Sequence, residues 1–210
     1  MCWGSIEGNF QKNLTDIRIA IAGDLHGSWS QDDLDLLLEL NPDGVLFVGD
    51  LSDGDLRIVR GINKISIPTS VVLGNHDRGR DGLGNVLQAQ LDLLGEKNCS
   101  WNLSKWALNE LSVVGARPCS GGGGFFLTPE VKAVFGEVSL DESVFRIVSA
   151  AKSAPLDFPL LILAHSGPVG LGSEASSLCG RDWKLPSMDW GDKDLGLSLI
   201  HISEPTRLGF

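Results

Sequence analysis

A chain of 210 residues is long enough for one sizeable hydrophobic core and too short for two independent ones. Its net charge of −10 disfavours a broad electrostatic grip on nucleic acid, and no apolar run approaches the roughly 20 residues that span a bilayer. Cys2, Cys99, Cys119 and Cys179 are scattered without a Cys-x-x-Cys pair, which argues against a zinc ribbon or redox motif and for free, reduced thiols.

Met1 to Gln11 carries neither a basic segment leading into an apolar core nor an Arg-rich amphipathic stretch, so no secretory or organellar signal is visible and the cytoplasm is the default compartment. Ile17 to Ala22 is nearly continuous and β-branched, the pattern of a strand buried on both faces. Gln31 to Leu40 reads as an amphipathic helix with Leu34, Leu37, Leu38 and Leu40 on one side and Asp32 and Asp33 in its first turn. Asn41-Pro42-Asp43-Gly44 ends it. Gly44 to Val48 is a second buried strand, Asp55 to Ile62 a second helix, and Thr69 to Leu73 a third strand entered through Pro68. This alternation predicts a parallel α/β sheet with right-handed crossovers.

Asn85 to Leu94 reads as a further helix. Trp106 to Leu108 and Leu111 to Gly115 read as short strands around a turn at Asn109-Glu110, which opens a second, more antiparallel sheet. Pro118 to Gly124 holds four consecutive glycines and reads as a mobile surface loop, since no Lys-Ser/Thr follows to make a phosphate cradle. Pro129 to Phe135 and Asp141 to Ala151 are helical, the second with Ser139 as its cap. Leu160 to Ala164 is a fourth buried strand, assigned to the same parallel-type sheet. Gly167 to Gly191 has no clear period, and a loop of that length in a compact domain is functional or disordered.

Each of the four buried strands ends in a residue able to bind a metal: Gly23-Asp24-Leu25-His26-Gly27, Gly49-Asp50, Gly74-Asn75-His76-Asp77 and Ala164-His165. Ligands of α/β sheets gather beyond the carboxyl ends of strands, where these clusters lie. Asp24, His26, Asp50, Asn75 and His165 together offer two carboxylates, an amide oxygen and two imidazoles. Oxygen and nitrogen donors without thiolate suit Mn, Fe, Zn or a similar divalent ion and leave its identity open. One carboxylate between two ions would bridge them at ~3.5–4 Å, an arrangement that activates water and clamps the oxygens of an in-line displacement, as in phosphate-ester hydrolysis. His76, next to Asn75 and facing away from the ligand direction, is placed to protonate the leaving alkoxide, oriented by Asp77 or another carboxylate.

Those four segments, in that order, resemble the signature of the calcineurin-like metallophosphoesterase superfamily. Leu111 to Pro118, His165 to Gly172, Cys179 to Trp183 and Asp189 to Leu195 resemble a branch found in cyanobacteria and plant plastids, which would make the plastid the compartment in a plant. The resemblance implies a four-layer αββα sandwich of two mixed sheets. It implies a first metal on Asp24, His26 and Asp50, a second on Asp50, Asn75 and His165, and His76 as the acid. The implied reaction is hydrolysis of a phosphate mono- or diester by a metal-bound hydroxide at a dinuclear site.

The chain departs from that superfamily in lacking its Gly-His-x-His segment; the one later histidine is His201, in Leu199-Ile200-His201-Ile202-Ser203. Leu197 to Leu208 resembles translated adapter or vector sequence, which sets the expectation of a domain at 1–196, incomplete at its C-terminus, and a non-native tail at 197–210. A genuine ending in a protein that lost catalysis is the alternative. Weak metal affinity and little activity are expected in either case. A non-catalytic binding scaffold of the same fold is the competing function, and a nuclease is disfavoured by the charge. Arg117 and Arg181 are candidates for gripping a substrate phosphate bidentately, or else loop anchors. Trp29, Trp183 and Trp190 either line the pocket or pin the long loop.

Overall fold

The computed structural model describes residues 17–107 and 110–203. Cys2 and the polar lead, Leu108 and Asn109 of the expected strand and turn, and residues 204–210 of the expected tail lie outside the described residues.

Three βα units build the first sheet. Strands β1 (Ile19–Ala22), β2 (Gly44–Phe47) and β3 (Thr69–Val71) pair in parallel in that order, each followed by a helix: α1 (Gln31–Glu39), α2 (Leu56–Asn63) and α3 (Asn85–Leu94). The helix starts follow local chemistry. Ser30 and Asp33 form a reciprocal capping box on α1, and the Asp55 side chain accepts the Arg57 amide at the start of α2. In the second sheet β4 (Leu103–Trp106) runs antiparallel to β5 (Leu111–Gly115), which pairs in parallel with β6 (Leu160–Leu163). Helices α4 (Pro129–Phe135), α5 (Leu140–Lys152) and α6 (Lys193–Ser203) complete the described chain, with Ser139 capping α5 and α6 packed along it.

Side-chain alternation sorts the layers. Val45 and Phe47 of β2 join a cluster with Leu37 of α1, Val59 of α2 and Leu87 of α3, while Leu46 and Val48 turn the other way. Leu46 there meets Val113 of β5 and Leu163 of β6 between the two sheets, and Ile162 faces back toward Ile147 of α5. The order helices, sheet, sheet, helices is therefore the four-layer sandwich, with the first sheet parallel throughout and the second mixed. Each fully buried side chain such as Phe47 or Ile147 contributes about 1.5–3 kcal/mol.

Several expectations are corrected. β6 belongs to the second sheet, so the ligand-bearing strand ends come from two sheets and not one. β1 is not buried on both faces: among the described residues it is an end strand flanked only by β2, and Ile21 is 67% exposed. On α1 only Leu37 is buried and Leu34 is half-buried, because Leu38 and Leu40 rotate past the narrow contact stripe into solvent. The strand expected at 106–108 lies earlier, at Leu103–Trp106. The glycine loop is held and not free: Cys119 donates to the Leu73 carbonyl (2.7 Å), Gly123 to Trp190 (2.7 Å) and Gly124 to Gly191 (3.1 Å). At Gly122, with φ of +74°, a Cβ would sit 2.2 Å from the Trp190 carbonyl oxygen, so only glycine admits this approach.

Candidate metal centre

The turns after β1, β2, β3 and β6 meet at one rim of the sandwich. Backbone hydrogen bonds lace the first two together, Asp24 N–H to the Gly49 carbonyl (3.0 Å) and His26 N–H to that of Asp50 (3.0 Å). Asp24, His26 and Asp50 all adopt positive φ, at 51°, 44° and 50°. Such backbone costs a non-glycine residue on the order of 1–3 kcal/mol and clusters at functional sites. The glycines between them are sterically required: a Cβ at Gly74 would lie 2.3 Å from Asp50 Oδ1, and one at Gly49 would lie 2.6 Å from the Gly74 nitrogen.

Asp50 lies at the centre. Its Oδ1 accepts the His76 backbone N–H at 2.8 Å and its Oδ2 lies 3.4 Å from His165 Nε2. Burial works to raise the Asp50 carboxyl, and the contacts with His165 and the His76 amide outweigh it, holding the group below its ordinary value. His165 Nδ1 lies 2.8 Å from the Val48 carbonyl oxygen. A carbonyl only accepts, so Nδ1 carries hydrogen and Nε2 turns toward Asp50 and toward Asn75 Oδ1, 3.2 Å away. Burial lowers the His165 pKa and Asp50 raises it, with a net rise.

Two donor triads result, Asp24 with Asp50 and His165, and His26 with Asp50 and His76, each with its ligand atoms within 4.8 Å of one another. Asp24 groups with Asp50 and His165, and its Oδ1 also lies 3.9 Å from Nε2 of His26, the partner the resemblance implied. Asn75 stands beside His165, its side chain against Gly121 of the glycine loop. Among the described residues neither Asp24 nor Asp50 has a Lys or Arg partner. Uncompensated carboxylates among oxygen and imidazole donors fit a divalent cation.

Asp53 was missed in the sequence. Its Oδ1 lies 3.2 Å from Nδ1 of both His26 and His76, whose rings meet edge-on at 4.9 Å. The bond to Asp53 is the main cause of a raised His26 pKa. Its signal was a second acidic residue in Asp50-Leu51-Ser52-Asp53-Gly54, in the turn that follows β2.

Asp77 is corrected in the same step, for it does not orient His76. It is buried, accepting the amides of Leu51 (2.9 Å), Ser52 (2.8 Å) and Gly74 (2.9 Å), and so ties the second ligand turn to the third. Arg117 is also corrected: it is 2% exposed, with its guanidinium spent on Asp192, Asp194 and the carbonyls of Gly124 and Phe126. Arg181 donates to the Pro186 carbonyl and stacks 5.0 Å over Trp190, which anchors the long loop rather than reaching the donors. Trp29 packs edge-on against Phe47 in the core, and Trp183 and Trp190 pair with each other, Trp190 also donating to Gly121. His201 sits exposed in α6, in neither triad. Cys99, Cys119 and Cys179 are free; burial pushes the Cys99 thiol up to about 12.

No curated protein matches the chain. The crystal structure of TT1561 of Thermus thermophilus is similar with a TM-score of 0.51 at 14% identity, covering 77% of this chain and 73% of that one, a likeness of fold. The signature of the calcineurin-like phosphoesterases matches residues 17–187, a span that holds every strand and both donor triads. The chain therefore belongs to the calcineurin-like phosphoesterases, a family of metal-dependent phosphoesterases, and its strand-end carboxylates and imidazoles are candidate metal ligands.

Proposed function

We propose that this chain hydrolyses phosphate mono- or diesters at a dinuclear site built on Asp24, His26, Asp50, Asn75 and His165, with Asp50 shared between two divalent ions. The observation that carries this reading is Asp50, whose carboxylate lies within 4.8 Å of donor atoms of Asp24 and His165 and of His26. Ions bound there lower the pKa of water and neutralise the phosphoryl oxygens.

The chain's own residues do the rest. The Val48 carbonyl fixes the His165 tautomer, and Asp77 locks the turns bearing Asp50 and Asn75 in register. His76 supplies the proton: with Nδ1 against Asp53, its Nε2–H goes to the leaving oxygen, and the Asp53 carboxylate orients the ring. His76 lines a cavity of about 380 Å³ with Asp53, Gly79 and Arg80, which gives the leaving group a place next to the acid.

With Mn added, the protein is expected to hydrolyse nitrophenyl phosphate or bis-nitrophenyl phosphate, and Asp50→Asn to lose more than about a thousandfold in rate, the loss of a shared ligand. Turnover no higher than that of Asp50→Asn on both esters rules the reading out. The second reading is a non-catalytic scaffold of the same fold. Elemental analysis of dialysed protein separates them, since two retained ions contradict a scaffold.

A further inference from the structure

The residue that neither the donor triads nor the proton relay uses is Arg80. Its side chain is exposed, it lines the cavity beside His76 and Asp53, and it has no hydrogen bond or ion pair among the described residues. The other arginines flanking the site are engaged. Arg78 donates to the Asn75 carbonyl and faces Glu130, and Arg117 is buried in its own cluster.

The backbone presents Arg80 rigidly. Asp81 takes the amides of Leu83, Gly84, Asn85 and Val86 at the start of α3, and Gly82 N–H donates to the buried Glu130 at 3.1 Å. Arg80 itself is at φ of 57°, and the preceding Gly79 leaves no room for a Cβ, which would meet Val86 at 2.4 Å. The α3 N-terminus is thus already satisfied by Asp81, which leaves the guanidinium as the cavity's unassigned donor. Asp53, the other charged wall, is committed to His26 and His76.

We infer that Arg80 selects the leaving group: the preferred substrate is a phosphate ester whose leaving alcohol carries a second oxyanion, a carboxylate or phosphate. This rests on the phosphoesterase reading, since it is the acid His76 that directs the leaving oxygen into this cavity. A free guanidinium there binds a planar or tetrahedral oxyanion by two parallel hydrogen bonds. The surrounding carboxylates of Asp24 and Asp50 disfavour such an anion elsewhere along the rim.

The test pairs ligands of similar size with and without the second anion. Titration of the Mn-loaded full chain is expected to show 3-phosphonopropionate binding about tenfold tighter than propylphosphonate, the strength of one charge-assisted contact. Arg80→Ala is expected to collapse that ratio to about one, with Arg80→Lys restoring part of it. In turnover, the kcat/KM ratio of phosphoglycolate to ethyl phosphate should fall in the same way, through KM. Equal affinities in the unmodified protein, or a preference that survives in Arg80→Ala, overturns the inference. So does an equal loss of both phosphonates in Arg80→Ala, which would place the guanidinium on the transferred phosphate. Protein that shows the Arg80-dependent binding ratio but cleaves neither ester supports the role of Arg80 and places the failure in the phosphoesterase reading.

Discussion

At the strand-end rim, Asp24 and Asp50 face imidazoles and an amide and meet no Lys or Arg among the described residues, whereas deeper in the domain Asp192 and Asp194 close on the guanidinium of Arg117. Both groups set paired carboxylates close together, and their surroundings give them opposite uses. The inner cluster completes its charge balance with protein atoms: Ser120 also donates to Asp192, Ser143 to Asp194, and the Trp101 indole to Ser143. It joins the glycine loop, α5 and the start of α6 into one unit. The rim leaves its carboxylates uncompensated and its backbone strained, so its charge is balanced only by something that enters from outside. A buried carboxylate therefore marks a ligand site by the partners it lacks, not by its burial.

Removing the inner counter-charge should have the largest effect on stability. Arg117→Met leaves two buried carboxylates without a partner and is expected to lower unfolding free energy by about 3–5 kcal/mol, read from urea midpoints. A loss below about 1 kcal/mol would mean the cluster is wetter and weaker than its burial indicates. At the rim, the matching change should spare stability and strike turnover. Asp53→Asn keeps the shape but removes the charge that readies His76, and kcat on an alkyl phosphate is expected to fall by about 10²-fold. The loss should shrink on nitrophenyl phosphate, whose leaving group needs little protonation; equal losses on both would assign Asp53 to ligand positioning instead.

The smallest expected effect concerns pH. Burial, helped by the charge of Asp194 and opposed by Arg117, raises Asp192 to about 6 from 3.8. A carboxyl with a raised folded pKa holds its proton more tightly in the folded state, so its stabilising contribution is complete below about pH 4 and is lost as the pH climbs toward 6. Asp192→Asn cannot titrate, and should gain on the unmodified protein across that window by on the order of 2–3 kcal/mol. A pH-independent difference between the two unfolding curves would show that Asp192 is ionised throughout.

The strand-to-ligand turns were legible because local rules govern them. Apolar β-branched runs at 17–22, 44–48 and 69–73 ended in glycines, and a glycine before Asp24, Asp50 and Asn75 is a local demand of tight turns packed against one another. Helices α1, α2, α3 and α5 followed from periodicity, α5 also from its cap Ser139. Arg117 misled because an arginine looks the same in sequence whether it faces a substrate or a pair of carboxylates 75 and 77 residues away. Asp77 was offered as the partner of His76 in place of Asp53 for the same reason. What the sequence determined by itself was the donor inventory and the strand ends that carry it, since both depend on residues within one turn of each other. Which sheet β6 joins, which carboxylate steadies His76, and that Asp50 stands in both triads were decided only by tertiary packing, because each depends on a distance between segments that no local pattern encodes.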